Sequence, residues 1–337
     1  MSETVLEVKN LVVRYFTRMG DVKAVNDVSF SLKRGETLGL VGESGCGKTT
    51  LGLSLMRLLP RNGRIERGEI LLEGEDIIKM DETLLRSIRW KKISMIFQGA
   101  MNALNPVFPV GDQVAEVLML HEKVTKEEAY EIVRELFLQV GLDVSRMKDY
   151  PHQLSGGMKQ RVVIAMALAL NPTIVIADEP TTALDVTIQA QILDLLNKLK
   201  RRYGLSMIYI THDLAVIAEI SDRVAVMYAG YMVEIADVVK LFKKPIHPYT
   251  KGLIASVPTI RRAKERKLIS IPGAPPNLIS PPPGCPFAPR CPFAKDVCRE
   301  ELPEPVMMDG HLVRCHFADE LKEIPPLEAW KIVWERG

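Results

Sequence analysis

Apolar and polar positions alternate along the chain in two periods, one typical of strands and one typical of helices. Short β-rich runs predict strands at residues 6–15, 24–32, 37–41, 68–74, 93–97, 173–178, 206–211, 223–228 and 231–235. Helical patterns cover residues 49–59, 126–140, 156–169, 188–203 and 214–220. Strands that alternate with helices predict an α/β fold with a mainly parallel sheet covered on both faces.

Two segments depart from this alternation. Between about residues 102 and 170 only helical patterns occur, which predicts a helical insertion. After Lys243 the composition changes, and residues 271–292 hold nine prolines, too many for a packed helix or sheet. We therefore expect a first domain over residues 1–243 and a separate, irregular C-terminal module over residues 244–337.

Composition narrows the class of protein. The chain is 47% hydrophobic, and its net charge of +2 gives no strong field for nucleic acid. The start of the chain shows no signal-peptide pattern, and the longest unbroken apolar run is nine residues, well short of a membrane span. We expect a cytoplasmic protein whose five cysteines are thiols or metal ligands rather than disulfides.

A glycine-rich stretch, GESGCGKTT at residues 42–50, separates the strand TLGLV from an apolar helix. It matches the phosphate-loop pattern G-x-x-x-x-G-K-[ST], in which backbone N–H groups cradle phosphate oxygens at a helix N-terminus. The lysine reaches the β- and γ-phosphates, and the threonine offers its hydroxyl to Mg²⁺. The predicted nucleoside triphosphate site comprises Gly42, Ser44, Gly45, Cys46, Gly47, Lys48, Thr49 and Thr50.

Cys46 lies inside this loop. A nearby lysine and a helix N-terminus both lower the pKa of a thiol. We therefore expect Cys46 to be reactive, and ATP to protect it from alkylation.

Polar side chains follow three of the predicted strands. Asp178 and Glu179 end TIVIADEP, at the edge where open α/β sheets bind ligands. Asp178 is the expected Mg²⁺ ligand and Glu179 the expected general base. His212 follows another strand and is either a γ-phosphate contact or a structural residue. Gln98 follows a third strand and can contact both Mg²⁺ and the attacking water.

The stretch LSGGMKQR decides the class. Ser155, Gly156 and Gly157 open a helix and so form a second anion-binding helix end. One triphosphate rarely needs two such ends in one chain. A head-to-tail dimer explains them, because this loop then closes over the ATP of a partner.

Together these motifs resemble the nucleotide-binding subunit of an ATP-binding cassette (ABC) transporter over residues 5–240. The resemblance implies a P-loop ABC ATPase cassette with a mainly parallel sheet, an antiparallel β part and a helical insertion. It also implies a Q-loop at Gln98, a D-loop at residues 183–185 and an H-loop at His212. Tyr15 stands where the family places an aromatic residue that stacks on adenine.

The resemblance extends to nearly the whole chain. YPHQLSGGMKQRV, HPYTKGL, IPGAPPNL and GCPFAPRCPFA resemble the oligopeptide/dipeptide (and nickel) importer ATPases. That family implies an ATPase that powers peptide import from the cytoplasmic face of the membrane, peripherally bound. Its partners are a paralogous ATPase (or a second copy), two transmembrane permease subunits and, indirectly, an extracytoplasmic substrate-binding protein, with no nucleic acid. Here Cys46 replaces the usual serine, and Gly99 and Ala100 replace an acid and a proline.

Other functions remain open on the sequence. Family members also import nickel or sugar oligomers. A non-transport ABC ATPase that acts on DNA or the ribosome usually carries a long coiled coil or a second cassette, and neither pattern is present. A redox sensor dominated by the C-terminal module is a third class, against which the complete set of catalytic residues argues.

Four cysteines fall in the proline-rich tail. Cys285, Cys291, Cys298 and Cys315 have spacings of x5, x6 and x16, without the tight pairs common in zinc sites. Wider spacings suit an iron–sulfur cluster with a metal at each corner. Relatives with this tail imply a [4Fe–4S] cluster. Zn²⁺, free thiols and disulfides remain alternatives.

Overall fold

The structure is a computed structural model that describes residues 3–99, 103–257 and 270–334. Ala100, noted above beside the Q-loop, lies outside the described residues. The strands are β1 (Thr4–Thr17), β2 (Gly20–Lys33), β3 (Thr37–Val41), β4 (Gly63–Leu72), β5 (Glu75–Asp76), β6 (Ile93–Ile96), β7 (Ile174–Asp178), β8 (Ser206–Thr211), β9 (Arg223–Tyr228), β10 (Tyr231–Asp237), β11 (Val306–Met308) and β12 (His311–Val313).

The helices include one at each of the five helical patterns that the sequence predicted. They are α1 (Lys48–Leu55), α2 (Glu82–Ile88), α3 (Val110–His121), α4 (Lys126–Gln139), α5 (Gly156–Leu168), α6 (Val186–Tyr203), α7 (Leu214–Ile220), α8 (Val238–Lys243), α9 (Pro248–Ser256), α10 (Asp296–Glu300), α11 (Ala318–Leu321) and α12 (Pro326–Trp334). Each strand and helix that the sequence predicted is confirmed, with shifts of a few residues at the ends.

The chain divides into two compact units. Of the described residues, the first unit comprises those within 3–7, 31–37 and 71–210, and the second comprises those within 8–30, 38–70 and 211–334. The phosphate loop lies in the second unit with the C-terminal tail. Each unit is described by itself below.

In the first unit, β6, β7 and β8 form a parallel sheet. Ile93 pairs with Ile174, and Ile174 pairs with Ser206. Every residue of these three strands is buried, as expected for parallel strands covered on both faces. The carboxyl ends of β6 and β7 therefore meet at one edge of the sheet.

The predicted helical insertion also lies in the first unit. Its described residues from 103 to 173 contain helices and no strand, and α3, α4 and α5 pack on one another. Helix α4 begins at a capping box in which Thr125 and Glu128 exchange hydrogen bonds. Helix α6 begins where the Asp185 side chain accepts from the N–H of Ile188, and it ends at Gly204, which adopts the left-handed conformation.

The second unit contains a mixed sheet. Strands β3 and β9 are parallel, with Leu38 opposite Arg223, whereas β9 and β10 form an antiparallel pair through Tyr228 and Tyr231. Strand β12 adds antiparallel to β10, and β11 adds antiparallel to β12. The antiparallel part that the family resemblance implied is therefore present. Strands β2, β1 and β4 neighbour one another in that order in a further sheet.

The C-terminal tail is joined to this sheet. Glu234 of β10 pairs with Val313 of β12, and the described residues from 211 to 334 belong to one compact unit with the phosphate loop. The expectation of a separate irregular module is therefore not confirmed. The domain boundary at residue 243 stays a prediction.

Candidate active site

The phosphate loop joins β3 to α1 as the sequence predicted. A Cβ atom at Gly42 would lie 2.1 Å from the carbonyl oxygen of Met227, and one at Gly47 would lie 2.2 Å from that of Ala24. Gly47 has a φ of 108° and Gly45 a φ of 78°, both in the left-handed region. Glycine is required here by backbone conformation and by close packing against β2 and β9.

Lys48 folds back over the loop that precedes it. Its side chain is buried, and its Nζ donates to the carbonyl oxygens of Gly42 at 2.7 Å and Glu43 at 3.0 Å. The ammonium group is thus already held at the centre of the loop. Ser44, Gly45 and Thr49 are exposed around it.

Tyr15 lies next to the helix that follows the loop. Its hydroxyl forms a 3.1 Å hydrogen bond with Thr50 Oγ1, and its ring lies within 2.7 Å of where a Cβ of Gly63 would be. This places the aromatic ring beside the predicted nucleotide site. The stacking on adenine stays a prediction.

The expectation that the pKa of the Cys46 thiol is lowered is wrong, while its protection by ATP stays a prediction. Cys46 is only 4% exposed, and burial raises the pKa of its thiol even though Lys48 opposes that shift. Its Sγ is 3.7 Å from Lys48 Nζ, and its backbone carbonyl accepts from the N–H of Gly230. The sequence showed the nearby positive charge but not the burial, which dominates.

The first unit brings Gln98 and Glu179 together. The Glu179 carboxylate accepts from Gln98 Nε2 at 3.1 Å and from Thr182 Oγ1 at 2.9 Å. Glu179 has a φ of 46°, and its N–H donates to the carbonyl oxygen of Ile210. Asp178, one residue earlier, is buried at the end of β7. A non-glycine residue held in this conformation is typical of a functional position.

Thr182 is a site residue that the sequence analysis missed. It follows the Asp178–Glu179 pair by only a few positions, and its hydroxyl donates to the expected general base. The signal that could have indicated Thr182 is its place in a short turn after Glu179. In this turn the N–H of Thr182 donates to the carbonyl oxygen of Glu179.

The remaining predicted ATP contacts lie at helix starts. Ser155 caps α5, where its hydroxyl accepts from the N–H of Met158, and Gly156 and Gly157 form the first turn. His212 is exposed and follows β8, directly before Asp213, which caps α7. His212 and the phosphate loop belong to the second unit, whereas Gln98, Ser155, Asp178 and Glu179 belong to the first.

The sequence analysis also missed the hydrogen bonds that join the phosphate loop to the C-terminal tail. Glu43 forms two ion-paired hydrogen bonds with Arg290, at 2.6 and 2.9 Å, and its N–H donates to the Tyr249 hydroxyl at 2.8 Å. Both partners come from the tail, more than 200 positions away in sequence. No local pattern in the sequence could indicate contacts of this range.

The four tail cysteines line one pocket, together with Phe287, Phe293 and Phe317. All four cysteines are free thiols, and the N–H of Cys285 donates to the carbonyl oxygen of Cys298. Burial raises the pKa of the Cys291 and Cys315 thiols to about 12. Among the residues that the structure describes, no three metal-ligating side chains are grouped for a single ion.

No helix in the described part of the chain is long and apolar enough to cross a membrane.

The strand–loop–helix around Lys48 and the acidic pair that ends β7 define a P-loop nucleoside triphosphatase, and the LSGG start of α5 is typical of the ABC class. Comparison with known proteins agrees. The family described as "ABC transporter" matches residues 25–182, and "Oligopeptide/dipeptide transporter, C-terminal region" matches residues 233–298.

Individual relatives are similar over almost the whole chain. The dipeptide transport ATP-binding protein DppD of Bacillus subtilis is 50% identical, covering 95% of this chain and 97% of that protein. The oligopeptide transport ATP-binding protein OppD of Escherichia coli is 49% identical, covering 93% of each. A dimeric structure of the bacterial ABC transporter cassette MJ0796 is 30% identical with a TM-score of 0.63, covering 69% of this chain and 98% of that one. The chain belongs to the family of oligopeptide/dipeptide ABC transporter ATP-binding proteins.

Proposed function

We propose that this protein is the ATP-hydrolysing subunit that powers uptake of dipeptides or oligopeptides through an ABC transporter. The observation that carries the proposal is the 50% identity to a dipeptide transport ATP-binding protein over 95% of the chain. The predicted ATP-site residues are all present in the sequence. Nickel or sugar oligomers are the alternative cargo, because the ATPase subunit itself does not contact the transported molecule.

Nucleotide binding follows from the phosphate loop. Backbone N–H groups of the loop face the phosphates, apart from those of Glu43 and Cys46, which donate to partners within the protein. Lys48 exchanges its two carbonyl partners for phosphate oxygens. Tyr15 stacks on the adenine ring. Both proposals are supported by the ordered loop and by the hydrogen bond that places Tyr15 beside α1.

Thr49, Gln98 and Asp178 are the proposed Mg²⁺ ligands. Hydroxyl, amide and carboxylate oxygens are the donors that Mg²⁺ prefers, so these side chains fit the ion. Bound Mg²⁺ neutralises charge on the β- and γ-phosphates. Asp178 contributes a buried carboxylate at the end of β7, and Thr49 an exposed hydroxyl in the first turn of α1.

Glu179 is the proposed general base for the attacking water. Its hydrogen bonds to Gln98 and Thr182 hold the carboxylate in one orientation, which is the structural support for this role. Lys48 stabilises charge on the γ-phosphate, and His212 contacts the γ-phosphate or holds the water in line.

The proposed assembly is a head-to-tail dimer with a paralogous ATPase or a second copy. In it, Ser155, Gly156 and Gly157 contact the ATP of the partner through the N-terminus of α5. Two permease subunits hold the dimer at the cytoplasmic face of the membrane, and an extracytoplasmic binding protein delivers the cargo.

The tail is proposed to hold a [4Fe–4S] cluster, with Zn²⁺ as the alternative. The four cysteines line one pocket, yet the described residues include no group arranged for a single ion. A tetrahedral zinc site draws four sulfurs to about 2.3 Å from one centre, whereas a cluster takes one thiolate at each corner. The support for the cluster is the wide spacing of the cysteines, x5, x6 and x16, without the tight pairs common in zinc sites. The pocket residues would serve a structural role, since the tail lies in one compact unit with the phosphate loop.

Reconstituted transport tests the main proposal. The protein, its paralogue and their permease subunits are placed in proteoliposomes with the binding protein, and uptake of labelled dipeptides, oligopeptides, nickel and sugar oligomers is measured with ATP. Peptide uptake that stops with Glu179→Gln supports the proposal. ATP-dependent uptake of nickel or sugar alone refutes the peptide assignment, and ATP hydrolysis with no uptake of any of them refutes transport.

Metal analysis tests the tail. Protein purified without oxygen should contain about four irons and four sulfides per chain, and Cys291→Ser should lose them. One zinc and no iron refutes the cluster.

A further inference from the structure

One ion pair joins the phosphate loop to the C-terminal tail and has no role in the function described so far. Glu43, the second residue of the loop, is paired with Arg290, whose side chain is only 5% exposed. Arg290 Nη1 also donates to the Tyr228 hydroxyl at 3.2 Å, and its Nε donates to the carbonyl oxygen of Pro272 at 2.8 Å. These hydrogen bonds therefore fix the guanidinium group independently of its contact with Glu43.

Glu43 creates an electrostatic problem for a nucleotide site. Its carboxylate belongs to a loop that must accept a triphosphate carrying several negative charges. The carbonyl oxygen of the same residue accepts from Lys48 Nζ, and its N–H is held by Tyr249. The backbone of Glu43 thus helps to shape the loop. Its carboxylate would repel the phosphates unless a cation binds the carboxylate and keeps it turned away from them.

Arg290 supplies that cation from a rigid setting. It ends the 3-10 turn Ala288–Arg290 between two of the tail cysteines, and its N–H donates to the carbonyl oxygen of Phe287. The Phe287 ring packs against Tyr228 at 5.1 Å and against Tyr249 at 5.4 Å between ring centroids. The same short segment therefore orients both groups that hold Glu43.

We infer that Arg290 is a positioning residue for ATP binding, which turns the Glu43 carboxylate away from the phosphates and fixes the loop. This inference rests on the ATP site of the proposed function and is independent of what the cysteines bind. It gives the tail a direct effect on nucleotide affinity. The effect grows with the number of phosphates, because the released carboxylate repels each added charge.

The test compares Arg290→Gln with a double variant in the full chain, with Kd measured for ATP and ADP by titration calorimetry. Arg290→Gln should weaken ATP binding about tenfold and ADP binding less, because a unit charge is released toward the phosphates. Glu43→Gln in the Arg290→Gln background should restore ATP binding to within about threefold of the parent. A merely structural role for Arg290 predicts no such rescue.

Arg314→Gln is the matched control. Arg314 is also 5% exposed, lies in the tail and pairs with a carboxylate, that of Asp27 at 3.1 Å, which is outside the phosphate loop. ATP binding should be unchanged in this variant. Arg290→Lys keeps the charge but loses the paired hydrogen bonds of the guanidinium group, so its ATP binding should lie between that of the parent and that of Arg290→Gln. It replaces Arg290→Gln if that variant does not fold.

The inference would be overturned by ATP binding of Arg290→Gln within twofold of the parent, by an equal loss in Arg314→Gln, or by a double variant that binds no better than Arg290→Gln. A parent protein that binds no ATP would instead refute the proposed function, so the two failures are distinguishable. In the Arg290→Lys branch, ATP binding as weak as that predicted for Arg290→Gln overturns the inference.

Discussion

A loop can need glycine for its backbone conformation or because neighbouring atoms leave no room for a Cβ. The three glycines of the phosphate loop differ in which of these reasons applies. Gly45 has a left-handed φ of 78°, but nothing lies within 4 Å of where its Cβ would be. Gly42 lies outside the left-handed region, but its Cβ would be 2.1 Å from the carbonyl oxygen of Met227. Gly47 combines both, with a φ of 108° and a Cβ 2.2 Å from the carbonyl oxygen of Ala24.

The cost of each alanine substitution follows from these distances. A left-handed conformation costs a non-glycine residue roughly 1–2 kcal/mol, so Gly45→Ala should destabilise the fold by about 1 kcal/mol. Overpacking a well-packed site costs about 1–3 kcal/mol, so Gly42→Ala should lose about 2 kcal/mol. Gly47→Ala carries both penalties and should lose about 3 kcal/mol or more.

Urea unfolding without nucleotide measures these differences, and ATP titration measures the consequence for binding. Gly47→Ala must shift the backbone at the first residue before α1, so it should also lose ATP binding. The free energy of unfolding should be highest for the parent and should then decrease in the order Gly45→Ala, Gly42→Ala and Gly47→Ala. If Gly47→Ala were no less stable than Gly45→Ala, the close approach to β2 would not constrain the loop and the reasoning would be refuted.

Three further predictions concern the site. Glu179→Gln should keep ATP binding and trap an ATP-bound dimer, because the base is lost while Mg²⁺ ligation remains; normal phosphate release would contradict its role. Thr182→Ala should lower kcat about tenfold with KM unchanged, since only the orientation of Glu179 is lost; a change in KM alone would oppose this. Cys46 should react slowly with iodoacetamide at pH 8 and faster above pH 9, because burial raises its pKa; a rate already at its plateau by pH 8, absent in Cys46→Ser, would show a low-pKa thiol.

Much of the fold was predictable because it depends on local patterns. The buried strands around TLGLV and TIVIAD are short, apolar and β-branched, and α4 and α6 begin at capping residues three positions before the bonded N–H. The phosphate loop was predictable for the same reason, since its glycines and Lys48 all lie within residues 42–48.

The rest depends on contacts between distant residues. The bond between Glu43 and Arg290 joins positions 247 apart, and nothing in either local sequence indicates the partner. Burial of Cys46 comes from the surrounding fold, so proximity to Lys48 alone gave the wrong direction for its pKa. The pairing of β12 with β10 likewise escaped prediction, because three-residue strands carry too little periodicity.

That last pairing has a consequence for any attempt to divide the protein. Strand β12 occupies the edge of β10, where Ile235 lies opposite Leu312. Truncating the chain near residue 257 would leave a row of unpaired backbone donors and acceptors on β10, next to the apolar residues Met232 and Val233. Exposed edges of this kind recruit strands from other molecules. By covering this edge, the tail should protect the protein from aggregation. We expect a chain shortened at this point to be recovered as insoluble protein unless another strand pairs with β10.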